Sequence, residues 1–296
     1  MNKIKYRTKK KLWDAVFIGP ALILFSFFTY YPLLVNLLYS LTSWNGLSSQ
    51  KTFVGIDNFV AVLQDKSIVQ AVINTVYMAV LLVVIGTLLR LSLALIVHSR
   101  IFGQGLIKVI LYIPSVLSPI VLSYTWLQFL QYTGYINQFL EAIHLSGLEQ
   151  SWLLNADFAK LWVCIVSTLQ WTGYGMLFFL TGLNSIPQDI YEAAKLDGAK
   201  GGRLFLNVTL PLIMPSFTVS LFLLISGALE LYALPLSLTG GGPNGATTTI
   251  TMSIYTQAFG FNRFGYASAQ SLLFFALIAI ITCIQLGITR RREIEY

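Results

Sequence analysis

The sequence predicts an all-α integral membrane protein with six transmembrane helices and both termini in the cytosol. Three observations carry this. Of 296 residues, 56% are hydrophobic and only 10% are charged, where soluble domains carry about a quarter. A soluble globule needs a mostly polar skin that this composition cannot supply, and disorder is excluded on the same ground. Six nearly uncharged runs are each long enough to cross a bilayer. The basic residues, finally, gather on alternate loops.

The first run, residues 15–40, follows a basic stretch, as the core of a signal peptide would. It is too long for one and no A-x-A-like cleavage site follows it, so it reads as a retained helix; Pro20 and Pro32 inside it are tolerated in membranes. The second run, 68–97, is interrupted only by Arg90. The third and fourth are 109–130 and 161–183. The fifth, 210–231, carries Glu230 near its end, and the sixth is 267–289. Residues 1–14 form a basic cytosolic tail, and 15–296 a single transmembrane domain.

Orientation follows from Lys and Arg in short loops. One side holds 14 of them: Lys3, Lys5, Arg7, Lys9, Lys10 and Lys11 in the tail, Arg100 and Lys108, Lys195, Lys200 and Arg203, and Arg290, Arg291 and Arg292. The other side holds Lys51, Lys66, Lys160 and Arg263. The richer side is the cytosol. The net charge of +7 is thus a topology signal, and no nucleic acid is expected as a partner. Cys164 and Cys283 lie inside apolar runs and His98 and His144 are far apart, so neither a disulfide framework nor a metal site is expected.

The outer loops are then 41–67, 131–160 and 232–266, with Trp44 and Trp152 suited to interfacial anchoring. Gly240-Gly241-Gly242-Pro243-Asn244-Gly245 formally matches a dinucleotide fingerprint. It follows a membrane helix rather than a strand, so it reads instead as a turn needing positive φ. No phosphate-cradling P-loop occurs in the chain.

The inner loop 185–209 is unlike a plain connector. Ser185 with Gln188 has the spacing of a capping box, Pro187 suits a first turn, and a short helix to about Leu196 is broken by Asp197-Gly198. A second helical stretch, 202–208, leads to Leu210-Pro211. Ala193 and Ala194 leave one face of the first helix small, so that another surface can approach. An ordinary connecting loop is the alternative; the two-helix build favours a docking element.

Glu192-Ala193-Ala194, then Gly198, then Val208-Thr209-Leu210-Pro211 resembles the "EAA" signature of membrane subunits of bacterial ABC importers, with Val208 where the family usually has Ile. The longer string Glu192-Ala193-Ala194-Lys195-Leu196-Asp197-Gly198-Ala199 is similar to the carbohydrate-uptake branch, the maltose and multiple-sugar permeases. Ser43-Trp44-Asn45-Gly46, Phe53-Val54-Gly55-Ile56-Asp57-Asn58-Phe59, Leu238-Thr239-Gly240-Gly241-Gly242-Pro243 and Phe264-Gly265-Tyr266-Ala267-Ser268-Ala269 resemble that branch's outer loops. The resemblance covers residues 12–290. It implies the type I ABC importer permease fold in the bacterial cytoplasmic membrane, moving a sugar or oligosaccharide inward by alternating access. It also implies partners: a second permease in a pseudo-two-fold pair, two copies of a cytosolic ATPase that uses ATP and Mg, and an extracytoplasmic sugar-binding protein. Within it, Glu192, Ala193, Ala194, Asp197, Gly198, Leu210 and Pro211 would couple the chain to the ATPase, and this chain would hold no cofactor and no catalytic or metal site.

For the solute path, sugars need aromatic platforms and amides in a wet cavity. Gln170, Trp171, Thr172 and Tyr174 in the fourth run supply them, although Gln, Thr and Tyr also bind helices to one another; both readings stand. Glu230, beside Tyr232, either lines the outer mouth or is a solvated helix end. At 1.5 Å per residue Arg90 and Glu230 differ in depth by ~17 Å, too far to pair, so Arg90 is expected to snorkel or to anchor on inner carbonyls. An ion-gradient-driven secondary transporter is the alternative function; it would need an internal repeat and intramembrane carboxylates, and only Glu230 marginally qualifies. A glycerol-phosphate or amino-acid solute also stays open, and a membrane enzyme lacks a nucleophile with a base.

Overall fold

The computed structural model describes residues 2–99 and 102–293, with side chains described at Trp13 and from Val16 on. The basic side chains of the N-terminal tail and Arg100 therefore lie outside the described residues. In chain order the helices are α1 (Asn2–Ser40), α2 (Asp57–Gln64), α3 (Lys66–His98), α4 (Gln104–Val116), α5 (Pro119–Leu130), α6 (Tyr135–Ala142) and α7 (Ala156–Ser185). They continue as α8 (Gln188–Leu196), α9 (Gly201–Leu204), α10 (Leu210–Leu212), α11 (Met214–Leu229), α12 (Ala233–Thr239), α13 (Ile250–Tyr255) and α14 (Phe264–Thr289). The described residues form no strand beyond an isolated bridge between Thr42 and Phe53.

Four continuous helical segments are long and apolar enough to cross a membrane: Val16–Ser40, Lys66–His98, Ala156–Ser185 and Phe264–Arg292. Two bent pairs bring the number to six when each counts as one span, Gln104–Val116 with Pro119–Ala142 at 101° and Gly201–Leu212 with Met214–Leu229 at 74°. The third and fifth runs are thus broken rather than continuous helices. At the first break Leu117 and Ser118 are extended, with ψ of 141° and 137°. Ser118 precedes Pro119, whose ring drives the preceding residue out of the helical region. The second break has a π stretch at Phe205–Thr209 leading into Pro211, and Ile213 at φ −90°, ψ 4° ahead of Pro215. Each proline removes a backbone donor from the helical ladder.

The chain divides into two compact units, Met1–Asp65 with Ile254–Phe274, and Lys66–Ser253 with Phe275–Tyr296. In the first, Ser43 N–H donates to the Thr52 carbonyl and Val54 N–H to that of Leu41, both at 2.9 Å. Asn58 Nδ2 donates to the carbonyls of Ser40 and Thr42, each at 2.8 Å. Lys51 lies over the rings of Tyr39 and Trp44. Gly265 N–H donates to the Trp44 carbonyl at 2.9 Å, and the Trp44 and Phe264 rings meet at 5.4 Å. Two loop segments picked out in the sequence far from each other, 43–46 and 264–269, are therefore neighbours.

The second unit is built around α7. Its start is capped by Asn155, whose Oδ1 accepts from the N–H groups of Asp157 and Phe158 at 2.9 and 3.2 Å, with Asp157 placed favourably in the first turn. α3, α4 and α11 pack on α7. Their shared core includes Ala94, Val97, Met176, Phe179, Leu183 and Ile213. Asn74 on α3 is buried and donates to the carbonyls of Gly245 and Thr248 at 2.8 and 3.3 Å. This holds the glycine-rich turn, in which Gly240, Gly241, Asn244 and Gly245 take the expected positive φ of 60°, 87°, 48° and 76°.

Candidate functional site

Two places in the second unit concentrate functional features. One is the segment after α7. α8 turns Ile190 and Tyr191 onto the core formed by α3, α7 and Ile213, while Glu192, Ala193 and Leu196 are exposed. Asp197 caps it and Gly198 follows at φ +81°. Gly198 N–H donates to the Lys195 carbonyl at 3.0 Å and Ala199 N–H to that of Ala194 at 2.9 Å. These are the two bonds of a Schellman motif, which needs a left-handed residue where Gly198 stands. At the other end the cap position falls to Pro187 rather than to Ser185. Ser185 Oγ donates back to the Gly182 carbonyl at 2.8 Å, Pro187 takes the cap position without a side-chain bond, and Gln188 Nε2 donates to Glu192 Oε1 at 3.1 Å. Ser185 ends α7, so its hydroxyl bonds back within that helix. Leu210 is half-buried against the same core and Pro211 is half-buried beside it, at the base of the segment rather than on its exposed face.

Leu196 is 90% exposed at the tip of α8. Sequence inspection did not single it out, although an apolar residue just before an Asp-Gly helix stop is a local signal. His98 Nδ1 and Asn184 Oδ1, 3.0 Å apart, join the ends of α3 and α7 beside this segment.

The other place is a cavity of about 260 Å³ bounded by α3, α7 and α11. Trp171 and Tyr174 line it, 41% and 40% exposed, and their rings meet edge-to-face at 6.2 Å. Tyr174 meets Phe178 in the same way at 5.3 Å. The spacing i, i+3, i+7 puts all three on one face of α7. Gln170 points elsewhere. It is buried and its Nε2 donates at 3.0 Å to the carbonyl of Leu117, freed by the break between α4 and α5, as a backbone group at membrane depth requires. Thr172 is buried and bonds back to the Thr168 carbonyl. Glu230 caps α11 and is exposed, Tyr232 starts α12, and Leu231 between them lines the cavity.

Arg90 does not snorkel. It is 5% exposed, lines the cavity, and its Nε has no hydrogen-bond partner. Gly175 makes room for it, since a Cβ there would overlap the guanidinium and its Cδ. Among the described residues, no three His, Cys, Asp or Glu side chains come together as a metal site would need.

A family model for the binding-protein-dependent transport system inner membrane component matches residues 93–294. The chain belongs to this family. It is 34% identical over 287 residues to the probable starch degradation products transport system permease protein of Thermoanaerobacterium thermosulfurigenes, covering 97% of each chain. It is 32% identical to the multiple sugar-binding transport system permease protein of Streptococcus mutans serotype c, over 96% of this chain and 97% of that one. Its fold matches a chain of a bacterial alginate ABC transporter, solved in complex with an alginate pentasaccharide-bound periplasmic protein, with a TM-score of 0.82 and 22% identity over 98% of each. The all-helical fold expected from the sequence, that of an ABC importer permease, is the fold found. As an inner membrane component, this is a multi-pass membrane protein, and the outward apolar side chains of α1, such as Phe17, Phe25 and Phe28, fit a hydrocarbon surround. α8 and the aromatic face of α7 lie within the family-matched region, and Arg90 lies just before it.

Proposed function

We infer that the chain is the permease subunit of an ATP-driven importer for a sugar or oligosaccharide. It works by alternating access beside a second permease, with a binding protein delivering solute from outside. ATP and Mg are used by two copies of a cytosolic ATPase. The observation that carries this is the form of α8: a short helix anchored by Ile190 and Tyr191, ended by a Schellman turn, and presenting Glu192, Ala193 and Leu196 outward. A rigid element fixed to the bundle core can transmit movement in an ATPase cleft to α7 and α11. The named solutes of the two relatives support a sugar, and the Trp171–Tyr174 face supports a ring-shaped solute in the cavity. An ion-gradient-driven carrier would need a carboxylate in the path, whereas among the described residues no Asp or Glu lines the cavity and Glu230 is exposed at a helix end.

Reconstituted with its partner permease, ATPase and binding protein, the chain should support ATP hydrolysis stimulated by a sugar, with uptake of that sugar. Uptake that follows a proton or sodium gradient without ATP would overturn the reading. The 14-to-4 distribution of Lys and Arg supports an orientation with both termini and α8 in the cytosol. A cysteine placed at exposed Asn244 should react with an impermeant thiol reagent only from outside, and one at exposed Lys200 only from inside. Reaction of the Asn244 variant only from inside would refute this orientation.

A further inference from the structure

We propose that the cavity between α3, α7 and α11 recognises an anionic group on the transported sugar, a carboxylate, phosphate or sulfonate, through the Arg90 guanidinium. This rests on reading the cavity as part of the solute path. Arg90 is more than nine-tenths buried, and its Nε has no hydrogen-bond partner. A guanidinium stays charged, and a charge left unpaired away from water is strongly unfavourable. Among the described residues, no Asp or Glu lines the cavity to neutralise it. The counter-charge therefore comes from outside this chain's lining. The surroundings specify what carries it. Gly175 leaves the space in which the guanidinium lies, so the planar fork is held in place by backbone. Ser167 and Thr168 also line the cavity, their hydroxyl oxygens buried and without partners, and a rotation of either side chain about χ1 would offer a hydrogen bond to a solute hydroxyl. Trp171 and Tyr174 supply aromatic faces for a ring. A fork matches carboxylate and phosphate geometry with two parallel bonds, hydroxyls match a polyol, and aromatic faces match the C–H face of a pyranose. A volume of about 260 Å³ lies just below the usual range of ligand pockets, which begins at roughly 300 Å³, and suits one charged sugar unit.

The same anion chemistry exists on lipid headgroups, so the test separates the two sources. The full complex, in discs of zwitterionic phosphatidylcholine, is titrated with digalacturonate and with its uncharged dimethyl ester. The readout is the Trp171 part of the fluorescence, obtained against a Trp171→Phe variant. The acid should act at concentrations about 10- to 100-fold lower than the ester, the range of a charge-assisted hydrogen bond. Arg90→Gln should remove that preference and Arg90→Lys should retain part of it, with ATPase co-purification showing that both variants assemble. Equal action of acid and ester, silence of the acid up to about 100-fold above the binding range of typical uptake substrates, or a preference that survives Arg90→Gln would each overturn the proposal. A response that appears only when phosphatidylglycerol is added to the discs would give Arg90 a lipid headgroup and overturn the sugar assignment. The importer reading fails by a different measurement, the sugar-stimulated ATP hydrolysis described above.

Discussion

Gly198→Asp should reduce ATP-driven uptake by about 100-fold or more while the protein still inserts and folds. The two halves of that expectation have separate causes. Within this chain nothing lies within 4 Å of a Cβ built on Gly198, so the new side chain displaces none of the subunit's own packing. The backbone there, at φ +81°, costs an L-residue roughly 1–2 kcal/mol, and Asp tolerates that region better than most residues. The subunit therefore persists. The docking proposed for α8 would not. The carboxylate would stand beside Asp197, at the end of a helix whose outer face carries exposed Ala193 and Leu196. An uncompensated charge in a closed interface is destabilising by about 3–5 kcal/mol, on the order of 10²- to 10³-fold in association. Gly198→Ala keeps the backbone cost and omits the charge, so it should lower uptake by only ~10-fold. Glu192→Ala should cost still less, since Glu192 is exposed and bonds to Gln188 on its own helix, and one hydrogen bond contributes about 0.5–1.5 kcal/mol. Uptake and ATPase co-purification are measured for all three at matched membrane levels. Wild-type uptake by the Gly198→Asp variant would reduce this segment to a connector.

Much of this was legible in the sequence because a bilayer imposes a simple rule. Long uncharged runs must be helices, and four of the six came out as single unbroken helices. Their ends were harder to place: α7 begins at Ala156 rather than near 161, because its first turn is fixed by the polar Asn155 cap and not by apolar residues. The breaks in the third and fifth runs had local signs in Pro119, Pro211 and Pro215. Membrane helices tolerate proline, so those signs do not by themselves separate a kink from a break. α8 was legible to its last residue, since an Asp-Gly stop is a local instruction. The cavity was legible only in part. Gln170, Trp171, Thr172 and Tyr174 form one cluster in sequence, but neighbours on a helix point about 100° apart. The structure turns Trp171 and Tyr174 into the cavity and Gln170 toward the α4–α5 break. Arg90 could not be placed from the sequence. What decides its orientation is Gly175 on another helix, and no local pattern links the two.

That division within one helix sets the second large expectation. Trp171→Ala should lower uptake about 30- to 150-fold, mainly through a higher KM, while ATPase co-purification stays at the wild-type level. Trp171 is partly exposed to the cavity and held edge-to-face by Tyr174, so the ring would be preorganised for the sugar face proposed to stack on it. Losing such a face removes both apolar contact, at about 25 cal/mol per Å², and the aromatic term of about 0.5–1.5 kcal/mol. Together these amount to roughly 2–3 kcal/mol, which converts to the stated range. The subunit should survive the change, because the core of α7 is made by Met176, Phe179 and Leu183 on other faces. Trp171→Phe keeps an aromatic face and should recover most of the uptake. Gln170→Leu supplies the contrast. It removes the donor that satisfies the Leu117 carbonyl, so it should reduce the amount of folded protein in the membrane without changing the KM of what remains. If instead Trp171→Ala lowers the folded amount and leaves KM unchanged, Trp171 is a packing residue and the solute passes elsewhere.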